Sequence, residues 1–197
     1  MPKLNSKNNK IIMKRAFTLV ETLVAIAILS LSVMSASVAV RNGLATSYYA
    51  RDQITAYYLI QEAVEYIRNI RDSNALANLH SLSIGGGPVN WLTGISSLVT
   101  DPCYFGNICT IDVTQNTITA CPSSNLSSSC PYLNQNVNNG LFGYISGNGW
   151  SPTKFKRFLQ ISSVDGNEVI LTATVSWSNS ISGNASISVR EWLFNTR

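Results

Sequence analysis

Twenty-four consecutive residues, Phe17 to Val40, carry no charged side chain except Glu21. As a helix this run spans ~36 Å, more than the ~30 Å hydrocarbon core of a bilayer, so one tilted membrane crossing is predicted. An ordinary secretory signal has a shorter apolar core, with its small-residue cleavage site after it. Here the small residue, Ala16, precedes the run, so a cut before Phe17 would leave the apolar segment on the mature chain. A carboxylate inside a spanning segment is costly, and Glu21 therefore calls for a role.

The formal charge of +4 over 197 residues is unevenly placed. Residues 1–16 hold Lys3, Lys7, Lys10, Lys14 and Arg15 and no acid, whereas nine Lys/Arg and ten Asp/Glu follow from Phe17 onward. The positive excess belongs to the leader, where it favours a cytoplasmic N-terminus. It gives no support to nucleic-acid binding by the remainder.

The helix is predicted to continue past Arg41. No proline occurs between Leu44 and Asp72, and Ile60, Val64, Ile67 and Ile70 recur near helical spacing. Glu65–Arg68 and Arg68–Asp72 are favourable pairs on such a helix. A continuous element from Phe17 to Asp72 would be ~84 Å long, apolar nearly all round in its first half and amphipathic in its second. Asn74 and Gly85-Gly86-Gly87-Pro88 are expected to end it. Ser30, Ser32, Ser35 and Ser37 lie in the apolar half and are expected to bond the preceding turn.

Residues 73–150 are rich in Ser, Asn, Gly and Thr and read mainly as loop. A hairpin is predicted around Gln115-Asn116, joining Ile108–Thr114 to Thr117–Cys121. The last third is clearer. Val169, Leu171, Ala173, Val175 and Trp177 alternate with polar or β-branched neighbours, the pattern of a half-buried strand. Lys154–Ser162 precedes it across the turn signal Asp165-Gly166-Asn167. Ala185–Phe194 follows Ser182-Gly183-Asn184, with Ala185, Ile187, Val189 and Leu193 on one face. Three antiparallel strands packed on the amphipathic half of a long helix make an α+β fold.

The run Lys14-Arg15-Ala16-Phe17-Thr18-Leu19-Val20-Glu21 and the apolar helix after it resemble the signal of type IV prepilins and pseudopilins. Phe17 to Leu29, with Gln61-Glu62-Ala63-Val64-Glu65-Tyr66-Ile67-Arg68-Asn69-Ile70-Arg71-Asp72, look most like the minor pilins called type IV pilus modification proteins and GspI-type pseudopilins. The resemblance implies a leader of residues 1–16 clipped between Ala16 and Phe17 by a prepilin peptidase, with N-methylation of Phe17. It further implies a helix over 17–72, spanning the membrane at 17–40, and an exported head over 73–197. The partners would be other pilin or pseudopilin subunits, and the destination a cell-surface filament. In the family the residue before the cut is usually glycine, and here it is Ala16. Glu21 would pair with the freed α-amino group of a neighbouring subunit. As a catalytic acid it has no companion, since no other titratable side chain occurs from Phe17 to Val40.

Cys103, Cys109, Cys121 and Cys130 would all lie outside the cytoplasm, where an even count reads as two disulfides. Four cysteines permit three connectivities, of which the nearest-neighbour pairing closes the smallest loops. A zinc site is the rival, but the spacing contains no C-x₂-C or C-x₄-C pair. His80 is the single histidine, and no Gly-x-Ser-x-Gly elbow occurs. No catalytic residue, cofactor or metal is therefore expected. Lys154, Lys156 and Arg157 flank Phe155 and Phe158, but three basic residues on one strand usually form a solvated sheet face, and Lys154 and Lys156 on one side also fit a protected edge strand, so nucleic acid is not the expected partner. The expected function is that of a non-enzymatic filament subunit. The alternative is a membrane-anchored adhesin or DNA-uptake receptor that does not polymerise.

Overall fold

The computed structural model describes residues 17–123, 127–179 and 183–195. The leader, including Ala16, and Ser182 of the second expected turn lie outside the described residues. One helix, α1, covers Leu19–Ser83 and is followed by antiparallel sheets, an α+β architecture. The chain separates into two compact units at Thr46/Ser47, each considered by itself.

In the first unit Thr18 caps α1, its Oγ1 accepting the Glu21 N–H at 3.2 Å. Phe17 through Leu44 are exposed without exception. Ser30, Ser32 and Ser37 each donate to the carbonyl four residues back and Ser35 to that of Ser32, so their hydroxyls are satisfied within the helix as the sequence suggests.

In the second unit α1 turns amphipathic. Ala56, Leu59, Ile60, Ala63, Val64 and Ile67 are buried, at the i, i+3, i+4 spacing of one helical face. The helix continues eleven residues beyond the expected stop at Asp72. Residues 73–83 contain neither proline nor glycine, and Asn74 does not break the helix. Its side-chain amide donates to the carbonyls of Trp91 and Thr93, while the Asn78 amide oxygen accepts the Val89 N–H. These two side chains tether the following loop along the helix. Gly85, at φ +77°, turns the chain away after Ser83.

The main sheet has five strands: β1 (Ile108–Asp112), β2 (Thr117–Ala120), β6 (Phe155–Asp165), β7 (Glu168–Asn179) and β8 (Gly183–Phe194), in the order β2-β1-β6-β7-β8. The expected C-terminal meander is present, and the Gln115-Asn116 hairpin extends it through β1 pairing with β6. Asn116 takes φ 53°, a left-handed conformation asparagine tolerates in turns. A second sheet of β3 (Asn134–Asn136), β4 (Phe142–Gly143) and β5 (Trp150–Pro152) lies where the sequence reads as loop. Strands of two or three residues carry too little alternation to be seen in a sequence.

The core forms where the α1 face meets the inward side chains of the sheet. Leu159, Ile161, Val169, Leu171, Ala173, Val175, Trp177 and Leu193 join the helical residues in one cluster. Burying each large aliphatic side chain contributes ~1.5–3 kcal/mol. The strand carrying the basic residues is not an edge. β6 lies between β1 and β7, and Arg157 faces inward at 0% exposure among Phe155, Leu159 and Ile161. The edge-strand reading of Lys154 and Lys156 is therefore corrected, and the solvated-face reading is corrected for Arg157. Two acceptors on α1 and one on β1 take its terminal N–H groups while its Nε is left without a partner, an arrangement periodicity alone cannot reveal.

Candidate functional site

Two sets of residues stand out, one at the start of α1 and one that locks the second unit. At the first, Thr18-Leu19-Val20-Glu21 has the T-x-x-E spacing of a capping box. Glu21 occupies the first turn, where the positive end of the helix dipole favours a carboxylate. Capping is a signal the sequence reading passed over. Thr18 thereby satisfies one of the four N–H groups that open a helix without an intrahelical acceptor. Phe17 stands immediately before the cap and is 77% exposed. An ammonium at Phe17 would meet the same positive helix end, so Glu21 is the nearby charge that offsets both. Ala16, the other processing residue, lies outside the described residues.

From Leu19 the helix is long and apolar enough to cross a membrane by length and composition. None of its most hydropathic window is buried. Glu21 and this apolar surface are the features the sequence selected. The structure brings no second titratable residue of the 17–40 segment beside them, because the sequence supplies none.

The second set is covalent and ionic. Cys103 is bonded to Cys109, and Cys121 to Cys130. The first bridge lies in the main core, with both residues at 0% exposure. The second packs with Ile108 and Phe158, which strand alternation places on the opposite face of the sheet. Each bridge thus ties a loop to one face of the β1–β6 region. Among the described residues no cluster of three or more His, Cys, Asp or Glu could hold a metal ion. His80 is exposed on α1.

Charged side chains link helix to sheet at three levels. Lys154 pairs with buried Asp52, Arg157 with Glu62, and Arg68 with both Glu65 and Glu191. Arg157 also donates to the carbonyl of Leu59 at 3.1 Å and to that of Ile111 at 2.8 Å. One guanidinium therefore bonds α1 and β1 from a position on β6. The hydrogen bond that Arg68 donates to Glu191 is the largest cause holding its guanidinium above its ordinary pKa. Asp112 is buried at the end of β1 and accepts the N–H groups of Thr114, Gln115 and Tyr144. Burial pushes the Tyr144 phenol above its ordinary range, and its hydroxyl donates to the Arg157 carbonyl at 3.2 Å. These groups are already engaged with one another. Their arrangement holds the fold and leaves no aligned acid, base and nucleophile among them.

Residues 12–37 match the family described as the prokaryotic N-terminal methylation motif. This N-terminal segment is type IV prepilin-like. The match begins in the basic leader, crosses Ala16, Phe17 and Glu21, and ends within the exposed apolar helix. No curated protein and no solved structure matches the chain. The motif of this prepilin-like protein implies processing by a prepilin peptidase and assembly with other pilins in general terms. It also suggests a structural role, and it fits a membrane-anchored pilin whose apolar helix is left uncovered by the described residues.

Proposed function

We propose that this protein is a minor pilin or pseudopilin subunit, cut between Ala16 and Phe17, N-methylated at Phe17, and assembled into a type IV pilus or a type II secretion-like filament. The methylation motif overlying an uncovered apolar helix with one carboxylate carries this reading. On it, residues 1–16 are the leader and 17–40 the membrane span. The head, 73–197 with the amphipathic part of α1 beneath it, lies outside the cytoplasm, consistent with its two disulfides. The protein is not an enzyme on this reading, and DNA is not its partner. The near balance of charge from Phe17 onward and the engagement of Lys154 and Arg157 with carboxylates support that.

Two measurements test it. Intact-mass analysis of protein from its native membrane should show loss of residues 1–16 and one added methyl group. Only full-length chain, in a host with active prepilin peptidase, would defeat the processing step. Glu21→Leu removes the only charge of the span, so insertion should be undiminished. It would leave a neighbour's Phe17 ammonium unpaired in an apolar bundle, a loss of ~3–5 kcal/mol that should suppress incorporation into filaments. An unchanged ratio of sheared-filament to membrane protein, with wild type incorporated, would instead indicate an anchored receptor or adhesin.

A further inference from the structure

β8 is the last strand of its sheet and pairs on one side only, with β7. Its twelve residues run in unbroken register with Glu168–Asn179. Alternate N–H and C=O groups of such a strand point away from its neighbour. Among the described residues none of these outward groups meets another strand. Proteins ordinarily blunt a long edge with bulges, prolines or lysines. β8 has no proline and no lysine, and its two charges are Arg190 and Glu191, the latter held by Arg68. The opposite edge, β2, is four residues long.

Beside this edge lies a groove of ≈ 660 Å³, lined by Ile187 of β8 and by Ala50, Gln53, Ile54, Tyr57 and Gln61 of α1. No charged side chain lines it. Ile54 is 57% and Tyr57 48% exposed, while Ala185, Ile187 and Val189 are half-buried against the core. A strand laid along β8 would aim every second side chain to the α1 side, into this groove.

The geometry points to β8 as an acceptor strand, to which an extended segment of another polypeptide adds, seating uncharged apolar side chains at alternate positions between Ile187 and the Ile54–Tyr57 flank of α1. A row of alternating donors and acceptors is matched residue by residue only by another extended backbone. A charge entering the groove would lose water with no counter-ion to meet it. The occupant is therefore a strand whose inward positions are neutral and apolar. A second copy offering its own β8 fits less well. Its inward side chains already pack on its own helix and would leave the groove unfilled.

The test uses the full mature chain in detergent micelles, panned against a phage-displayed dodecapeptide library. Enriched sequences should alternate apolar with other residues. A synthetic peptide of the best sequence should slow amide exchange along β8 by ~tenfold or more. Ile54→Lys places a charge in the groove wall at an exposed position and should weaken that peptide ~tenfold or more, with thermal unfolding unchanged. Gln53→Lys gives the same reading if Ile54→Lys unfolds. Three results would overturn the proposal. One is absence of enrichment over the Ile54→Lys protein, and another is peptide protection located away from β8. The third is a peptide-free dimer with protected β8 amides, which would assign the edge to a second copy.

Discussion

The two stretches of α1 differ in what covers them, though one helix contains both. From Phe17 to Leu44 every residue is exposed, including Leu23, Ile26, Leu29 and Val33. From Asp52 to Ile67 seven side chains are buried against the sheet. The second stretch also carries the carboxylates that meet Lys154 and Arg157. The first is apolar and finds no partner among the described residues. An exposed apolar surface of that extent marks a membrane or a subunit interface. Hydrophobicity alone therefore does not say which part of a helix builds the fold. The buried stretch is the one whose apolar residues keep to one face and whose polar residues find partners on strands.

The comparison breaks most sharply at Arg157. Arg157→Ala leaves Glu62 and the Leu59 and Ile111 carbonyls without their donor and opens a cavity. A loss of ~3–5 kcal/mol is expected in denaturant unfolding of the second unit. A loss below ~1 kcal/mol would show that the buried guanidinium does not join helix to sheet.

Matched truncations sharpen the contrast along α1 itself. Ile60→Ala should cost ~2–5 kcal/mol, since the site is 1% exposed in the core. Leu29→Ala, at a position 66% exposed, should change the same unfolding transition by ~0.5 kcal/mol or less. Equal effects would mean that the first stretch packs on the second unit.

Replacing either cystine by two serines should lower stability by ~2–3 kcal/mol, as closed loops of this size predict. The measurement is thermal unfolding with and without reductant, and the double mutants should lose the reductant response at the corresponding bridge. The Cys103–Cys109 replacement should cost more than the loop term because both sulfurs lie in the main core.

The smallest effect concerns Tyr144. Its folded-state pKa is raised, so the native state keeps its proton where the unfolded chain has lost it. That contribution is full below the unfolded value of ~10 and is lost as pH rises through the folded value. Stability should therefore decline above pH ~10, and Tyr144→Phe should flatten the decline while costing ~1 kcal/mol at neutral pH for the lost hydrogen bond. Tyr66, also raised chiefly by burial, should leave a residual slope in that variant.

The motif over residues 12–37 and the apolar run were legible in the sequence because a long span that fits a membrane shows directly in the composition of a contiguous stretch. The β7 face was legible for a similar reason. Strict alternation over Val169–Trp177 reports a half-buried strand without reference to its neighbours. The helix of residues 73–83 was not, since asparagine and serine there satisfy themselves against a loop that the local sequence does not announce. Arg157 was read as surface because charge usually means solvent. Only carbonyls and a carboxylate converging from α1 and β1 make its burial affordable. The small sheet β3–β5 escaped because its strands are too short to show alternation, and the groove beside β8 because it joins α1 to a strand more than a hundred residues away. Sequence by itself determined what must leave water and where the methylation motif lies. Pairing, burial of charge and the open edge were decided only when distant segments met, since hydrogen bonds and desolvation depend on neighbours that local pattern does not contain.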